Sequence, residues 1–390
     1  MKRILRKRIF TQNVMSEIDI TVAGHICLDV IPQLLAGTTS ENVFCPGTLR
    51  TVGPATLSTG GVVSNTGLSL FQMGFRVQMA GKVGDDPLGT TLLDILRKKD
   101  PALTAGMIVS PGQNTSYTVV LNPPGIDRAF LHCPGVNDVF TADELNTQQI
   151  AAGRILHFGY PPLMRGIYSD GGAGLAEKFR QVQTLGLLTS LDMANPDPLG
   201  ESGRVDWIAW LKTVLPTVDV FLPSFDEILL MTDKPRYDQL CEKEANPAAA
   251  SSQEEIRAVS TRLMDWGAKI VVMKLGDQGL YVKAAEDLSI LQTRSKWAEY
   301  DWQSWRGIDM YSPCYDVPVV GTTGSGDATV AGFLASLIKD FYPEEALDVA
   351  VAAGACNVQA ADAVSGIPDW ETILENARRW GKKEGIGDRP

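Results

Sequence analysis

The sequence lacks the features that most readily mark a zinc site, a disulfide scaffold or a membrane span. Only 3 of its 390 residues are histidine, and its 6 cysteines are scattered without a Cys-x-x-Cys pair. This spacing indicates neither bound zinc nor a disulfide framework and is typical of a reducing compartment. No apolar run approaches the roughly 18 residues that a membrane-spanning helix needs. We therefore expect a soluble, cytoplasmic protein that binds no membrane.

An excess of positive charge is also absent. With 35 Lys and Arg against 46 Asp and Glu, the net charge is −11, which argues against a nucleic-acid-binding surface. The one basic run lies within residues 1–17, which we interpret as a short solvated tail, with a targeting element as the alternative. The length alone is compatible with one large domain or with two.

The best-known phosphate-binding motifs are missing as well. No glycine-rich run ends in Gly-Lys-Ser/Thr, and the run at 172–177 fails the dinucleotide fingerprint at its last glycine. A nicotinamide-dependent oxidoreductase is therefore disfavoured.

Buried strands and amphipathic helices alternate through most of the chain. Apolar, β-branched runs at 18–24, 154–158, 187–191, 218–222 and 270–273 are separated by helical patterns, which predicts a parallel sheet with helices on both faces. The turn-rich segment 31–59 differs, as do two short strands on either side of Asn122-Pro123-Pro124-Gly125. Together these segments predict a small β-lid apart from the main sheet.

The stretch Gly321-Thr322-Thr323-Gly324-Ser325-Gly326-Asp327 reads as a small-residue turn before a helix that starts at about Ala328. Its glycines allow a ligand to approach the backbone, and the start of a helix attracts anions. The carboxylate of Asp327 beside such a site suits proton abstraction. Because Asp is also a common helix cap, these residues alone leave both interpretations open.

Further candidate residues lie where predicted strands end and helices begin. Asp29 follows the first strand, and ligands gather at the carboxyl ends of strands in open α/β sheets. A paired glycine, Gly60-Gly61, opens a helix that carries Asn65. Glu227 lies in the first turn of another helix, where a capping role is the common interpretation and a metal-linked role the alternative.

These motifs together resemble the ribokinase-like, or PfkB-type, carbohydrate kinase family from about residue 18 to 380. The family's late signature, Asp-Thr-x-Gly-Ala-Gly-Asp, stands here as residues 321–327, and its early paired glycines with a downstream Asn stand as Gly60, Gly61 and Asn65. The resemblance implies an α/β, ribokinase-like doubly wound, mostly parallel sheet flanked by helices. It assigns residues 18–390 to one kinase domain, with a small β-lid formed by about 31–59 and 114–132.

The resemblance also implies transfer of the ATP γ-phosphoryl group to a hydroxyl, usually a primary one, of a free sugar such as ribose or fructose. Asp327 is expected to be the catalytic base, and the N–H groups of Gly324, Ser325 and Gly326 an anion hole. The cofactors are expected to be ATP and Mg²⁺, with Glu227 acting on magnesium indirectly. The expected sugar-binding residues are Asp29, Gly60, Gly61 and Asn65; the expected ATP-binding residues are Lys274, Gly276, Gly279, Ser224 and Thr323.

Two positions depart from the family pattern. Ser224 replaces an Asn whose side chain has a longer reach, and Gly321 replaces an Asp that helps to bind a monovalent cation in potassium-activated members. We therefore expect little or no activation by potassium.

Several alternatives stay open at this stage. A nucleoside is one alternative substrate and a sugar phosphate another, for which Lys82, Arg50, Arg128 and Arg165 are candidate phosphate ligands. A catalytically silent sugar- or nucleotide-binding regulator is a further alternative. A homodimer formed through the β-lid is possible, since many relatives dimerise in that way.

Overall fold

The structure is a computed structural model that describes residues 18–35, 37–39, 45–122 and 129–386. The predicted basic tail at 1–17 lies outside the described residues. So do residues 36, 40–44 and 123–128 of the predicted β-lid, including its whole Pro-Pro-Gly sequence, and residues 387–390 of the predicted kinase domain.

Most strands of the described chain belong to one large sheet. The strands are β1 (Ile20–Gly24), β2 (Cys27–Pro32), β3 (Ala55–Gly60), β4 (Val77–Ala80), β5 (Lys82–Gly84), β6 (Ile108–Ser110), β7 (Tyr117–Leu121), β8 (Ala129–Cys133), β9 (Ile155–Gly159), β10 (Leu188–Leu191), β11 (Val220–Phe221), β12 (Ile270–Lys274), β13 (Leu280–Ala284) and β14 (Asp309–Ser312). The large sheet has the order β14-β13-β12-β11-β10-β9-β1-β4.

Helices separate these strands along the chain. They are α1 (Val62–Gln72), α2 (Pro87–Lys99), α3 (Thr147–Ile150), α4 (Arg165–Tyr168), α5 (Ala173–Thr184), α6 (Trp207–Val214), α7 (Phe225–Thr232), α8 (Lys234–Cys241), α9 (Gln253–Asp265), α10 (Ser289–Gln292), α11 (Ser325–Ile338), α12 (Pro343–Asn357) and α13 (Trp370–Arg379). No helix within the described ranges combines the length and apolar character that crossing a membrane requires.

The large sheet is covered on both faces, and β12 shows why its strands are so apolar. Ile270 and Val272 pack into one hydrophobic cluster, whereas Val271 and Met273 pack into the other. Successive side chains of a strand point to opposite faces, so a strand buried on both sides needs an unbroken apolar run. The first cluster contains residues of α1, α11 and α12, and the second contains residues of α5, α6 and α9.

The predicted mostly parallel sheet is confirmed. The strands from β4 through β1, β9, β10 and β11 to β12 pair in parallel. The antiparallel strands β13 and β14 extend one edge. The parallel strands therefore present their carboxyl ends along one edge of the sheet, which is where ligands bind in folds of this kind.

A separate small sheet has the order β3-β2-β7-β8. Along the chain its first strand is β2, which starts at Cys27, four residues before the predicted β-lid range. The chain leaves β1 at Gly24 and resumes an extended conformation almost at once. Asp29, predicted to follow the first strand, consequently lies inside a strand of this sheet.

One other local expectation differs from the structure. The helix α11 begins at Ser325 rather than at about Ala328, because Gly324 adopts a left-handed φ of 73° and forms the N-cap. The tryptophans of the polar segment before the 321–327 turn, Trp297, Trp302 and Trp305, are buried in a hydrophobic cluster. They are core residues.

Candidate active site

The start of α11 brings Asp327 into the interior. Asp327 is only 4% exposed, in the first turn of a helix whose N-cap is Gly324. A Cβ atom at Gly324 would lie 2.6 Å from the backbone oxygen of Ala363, so the turn is packed closely against the protein itself. The N–H of Ser325 donates to the oxygen of Thr322 over a long 3.3 Å. The positive end of the helix therefore lies beside a buried carboxylate.

Three side chains donate hydrogen bonds to the Asp327 carboxylate. Asn65 Nδ2 donates to Oδ2 at 3.0 Å and Thr66 Oγ1 to Oδ1 at 3.2 Å, both from α1, which packs against α11. The Tyr160 hydroxyl lies 2.8 Å from Oδ1 and 2.9 Å from Oδ2. These donors favour the ionised carboxylate.

Burial and hydrogen bonding act on Asp327 in opposite directions. Burial raises the pKa of its carboxyl group above the ordinary value, whereas the charge of Lys274 and the hydrogen bonds from Asn65, Tyr160 and Thr66 lower it. The net pKa is raised. A carboxylate that is desolvated, yet held ionised by specific donors, is a typical general base.

A buried ion pair adjoins this carboxylate. Lys274, the last residue of β12, donates from Nζ to Asp192 Oδ1 at 2.6 Å, and both side chains are almost fully buried. Asp192 directly follows β10. A Cβ atom at Gly326 would lie 3.6 Å from Lys274 Cδ, so this lysine reaches the first turn of α11. The positive charge of Lys274 is therefore shared among the carboxylates of the site.

Glu227 belongs to the same charged group. Its Oε2 accepts a hydrogen bond from the N–H of Ser224 at 2.7 Å, and the two residues form a capping box at the start of α7. The capping interpretation of Glu227 is thus confirmed. Burial raises the pKa of Glu227 to about 8 and that of Asp192 to about 6. The positive charge of Lys274 acts in the other direction and lowers both pKa values.

Two buried side-chain oxygens of the site have no hydrogen-bond partner among the described residues. They are Asp192 Oδ2 and Asn65 Oδ1. A buried acceptor without a donor is costly, which makes both atoms candidates for contact with a ligand or a metal ion. Asp192 Oδ2 is a carboxylate oxygen, the ligand type that magnesium prefers.

The predicted sugar-binding positions lie around the start of α1. Gly61 is its N-cap, with a left-handed φ of 83°. A Cβ atom at Gly60 would lie 2.4 Å from Asp29 Oδ2, and one at Gly61 would lie 2.5 Å from His25 Nδ1. Both glycines are therefore required by close contacts within the protein. Burial raises the pKa of Asp29 to about 6.

The predicted nucleotide turn follows β12. Gly276 and Gly279 have left-handed φ values of 60° and 113°, and a Cβ atom at Gly279 would lie 2.2 Å from the Ser312 oxygen. Ser224 forms an isolated parallel bridge with Lys274, which joins this turn to the start of α7. Thr323 lies in the loop that precedes α11.

Sequence reasoning missed four residues of this site. Thr66 is next to Asn65 but has no pattern of its own. Tyr160, Asp192 and His25 each directly follow a strand of the large sheet, namely β9, β10 and β1. The rule that ligands gather at the carboxyl ends of parallel strands would have selected these three.

Comparisons with known proteins agree with this architecture. Residues 19–370 match the sequence profile described as pfkB family carbohydrate kinase. An uncharacterised sugar kinase of Archaeoglobus fulgidus is 25% identical over 71% of this chain and 89% of its own length. Fructokinase-2 of Oryza sativa subsp. japonica is 23% identical over 90% of both chains.

A solved structure shows the same fold. The structure of Arabidopsis thaliana ribokinase complexed with ribose and ATP superposes with a TM-score of 0.67, at 16% identity, over 93% of this chain and 99% of that one. The expected ribokinase-like fold is thereby confirmed.

Proposed function

The chain belongs to the pfkB family of carbohydrate kinases, and we propose that it transfers the γ-phosphoryl group of ATP to a hydroxyl, primary in most such reactions, of a free sugar such as ribose or fructose. The observation that carries the proposal is the buried Asp327 carboxylate at the start of α11. The similarity to a fructokinase and the fold shared with a ribokinase support it.

In the proposed reaction Asp327 accepts the proton of the sugar hydroxyl as its oxygen attacks the γ-phosphorus. The bond from the γ-phosphorus to the bridging oxygen breaks, and ADP leaves with that electron pair. Negative charge on the transferred group lies beside the first turn of α11, where the N–H groups of Gly324, Ser325 and Gly326 stabilise it.

We propose that the sugar lies between the small sheet and α1. Asn65 Oδ1, buried without a partner among the described residues, would accept a hydrogen bond from a sugar hydroxyl. The carboxylate of Asp29 would accept another. Gly60 lies against the Asp29 carboxylate, and Gly61 is the N-cap of the helix that carries Asn65.

We propose that ATP binds over the turn after β12. Lys274 supplies positive charge near the phosphates, while Gly276, Gly279, Ser224 and Thr323 line the nucleotide. The residues present also fit magnesium, because Asp192 offers an unpartnered carboxylate oxygen and Glu227 lies in the same charged group. Magnesium bound with ATP would neutralise charge on the phosphate oxygens.

The ion pairs of two of the four basic candidates favour a free sugar over a sugar phosphate. Lys82 Nζ donates to Glu144 Oε1 at 2.7 Å, and Arg165 Nε lies 3.0 Å from Glu201 Oε2. A distal phosphate would have to displace these carboxylates. Arg128 lies outside the described residues.

We also propose that the small sheet closes over the sugar as a lid and that it carries a dimer interface. One apolar row crosses all four strands, because neighbouring strands pair Leu57 with Val30, Val30 with Val119, and Val119 with Leu131. Leu57 and Leu131 are about half exposed. The neighbouring row, formed by Ser58, Asp29, Thr118 and His132, is polar and lies on the opposite face.

We further propose that the enzyme acts in the cytoplasm.

The test is a panel of pentoses, hexoses, nucleosides and sugar phosphates assayed for ADP release with Mg²⁺, with and without K⁺. We expect turnover with a free pentose or hexose. The rate should be the same with and without K⁺, since Gly321 provides no carboxylate for a monovalent cation. Turnover restricted to a nucleoside or a sugar phosphate would change the substrate class. A lack of turnover with every compound would favour a silent regulator.

The role of Asp327 has its own test in Asp327→Asn, which keeps the shape of the side chain and removes the base. We expect the turnover rate to fall about a hundredfold or more, because general-base catalysis contributes roughly 10²–10⁴. Asp94→Asn, at an exposed carboxylate on α2, is the matched control and should leave the rate unchanged. A normal rate in Asp327→Asn would exclude this residue as the base.

A further inference from the structure

Two of the three histidines meet in space. His25 directly follows β1 and His132 lies in β8, yet their Nε2 atoms are 3.4 Å apart across 107 residues of sequence. The thiol of Cys27 completes the group, since one ligand atom from each of the three side chains lies within 4.8 Å of the others. The spacing along the chain indicated no zinc site, because it could not reveal a contact between the residue after β1 and a strand of the small sheet.

The distance between the two imidazole nitrogens fits a tetrahedral ion. Zinc binds histidine nitrogen at about 2.0–2.1 Å, so two such ligands at a tetrahedral angle lie about 3.4 Å apart. A hydrogen bond between neutral rings would produce a similar distance. The cysteine sulfur beside the pair is what distinguishes a metal site, because sulfur and imidazole together are typical zinc ligands.

The surroundings hold these ligands in place. His132 Nδ1 is 3.0 Å from Thr118 Oγ1, a contact that orients the ring and leaves Nε2 directed at the group. Two backbone hydrogen bonds hold His25: its N–H donates to the oxygen of Gly159, and its oxygen accepts from the N–H of Val63.

The charges also balance around a divalent ion. Cys27 Sγ lies 3.4 Å from Asp29 Oδ1, so a thiolate and a carboxylate would face a bound ion together. Binding would release the thiol proton of Cys27 to solvent and leave two negative charges against the two positive charges of the ion.

We propose that His25, Cys27 and His132 form a binding site for a zinc-class divalent transition ion, in which Asp29 balances the charge. Three protein ligands leave the fourth tetrahedral position open for water or a ligand oxygen. The site is separate from the carboxylates at Asp192 and Glu227, which suit a hard cation. Because the proposal rests on coordination geometry, it does not depend on which sugar the enzyme phosphorylates.

The test uses the full-length chain, stripped with a chelator and titrated with Co²⁺ while its absorbance is recorded. We expect one ion per chain, visible bands of tetrahedral cobalt and a near-ultraviolet band from thiolate-to-cobalt charge transfer, all of which Zn²⁺ should abolish by displacement. The absence of the charge-transfer band from the wild-type chain would overturn the proposal.

Two variants and a control assign the ligands. Cys27→Ser should abolish the charge-transfer band. His132→Ala, at an exposed side chain, should weaken binding by more than the roughly 10- to 100-fold that loss of a hydrogen-bond partner of a metal ligand costs. Cys133→Ser changes the next residue of β8, which points to the opposite face, and should bind as the wild type does. A spectrum that survives both Cys27→Ser and His132→Ala would place cobalt elsewhere and overturn the assignment.

Discussion

The hydroxyl of Tyr160 lies within hydrogen-bond distance of both carboxylate oxygens of Asp327. Tyr160 holds this position with a left-handed φ of 64°, which is rare outside glycine and costs roughly 1–3 kcal/mol. The phenol donates to the same oxygens that would accept the proton of a sugar hydroxyl. Tyr160 therefore lowers the pKa of Asp327, and it lies at the oxygens that the proposed substrate would have to reach.

Tyr160→Phe should shift the acid limb of the pH–rate profile. A base must be ionised to act, so kcat/KM falls as the pH drops through the pKa of Asp327. The hydrogen bond from Tyr160 lowers that pKa, and its removal should therefore move the limb to higher pH. Tyr342→Phe, at an exposed tyrosine, is the control. If the acid limb does not move, the Tyr160 hydroxyl does not affect the pKa of Asp327.

Breaking the buried pair of Lys274 and Asp192 should destabilise the fold. Lys274→Met leaves an uncompensated buried carboxylate, which costs about 3–5 kcal/mol in free energy of unfolding. The double variant Lys274→Met with Asp192→Asn should lose much less than the sum of the two single changes. Urea unfolding measures all three variants.

The control for that cycle is the exposed pair of Lys234 and Asp238 on α8. Lys234→Met should cost about 0.5 kcal/mol or less, because exposed ion pairs contribute little. Additive losses in the Lys274 and Asp192 cycle would show that the two buried side chains do not interact energetically.

Gly324→Ala should impair both stability and catalysis. Its left-handed φ of 73° costs a side chain roughly 1–2 kcal/mol, and the new Cβ atom would collide with the Ala363 oxygen. Gly74→Ala is a matched control with a φ of 87° and no atom within 4 Å of the added Cβ. We expect both variants to lose stability in urea unfolding and only Gly324→Ala to lose kcat. Equal kcat values would mean that the turn before α11 is not catalytic.

Leu131→Asp should prevent self-association through the small sheet. A charge in the apolar row would be buried in the proposed interface, so sedimentation velocity should report a dimer for the wild type and a monomer for the variant. Val109→Asp changes an equally exposed valine of β6, outside the small sheet, and should leave the dimer intact. A wild type that sediments as a monomer would contradict the proposal.

Local patterns in the sequence were sufficient for much of the fold. The apolar run of β12 requires burial on both faces, and the small residues at 321–327 require a tight turn before a helix. Asp327 could be selected as the base because its position depends only on that turn and on the family signature it completes. The exact start of α11 was missed, because it depends on the left-handed conformation of Gly324.

The partners of Asp327 could not be found in this way. Asn65 is 262 residues away and Tyr160 is 167 residues away, and which strand ends become neighbours depends on the order of strands in the sheet. The same holds for His25, which directly follows β1 of the large sheet, and His132, which lies in β8 of the small sheet.

The sequence by itself determined the family signature, the alternation of strands and helices, and the residue proposed as the base. These features depend on neighbours within a few residues, whose hydrophobic period and backbone freedom act locally. Only the tertiary structure decided that Tyr160 and Asn65 share one carboxylate, that Lys274 pairs with Asp192, and that two of three histidines meet beside Cys27. Those contacts arise when the packing of both sheets brings distant residues together and removes water from between them.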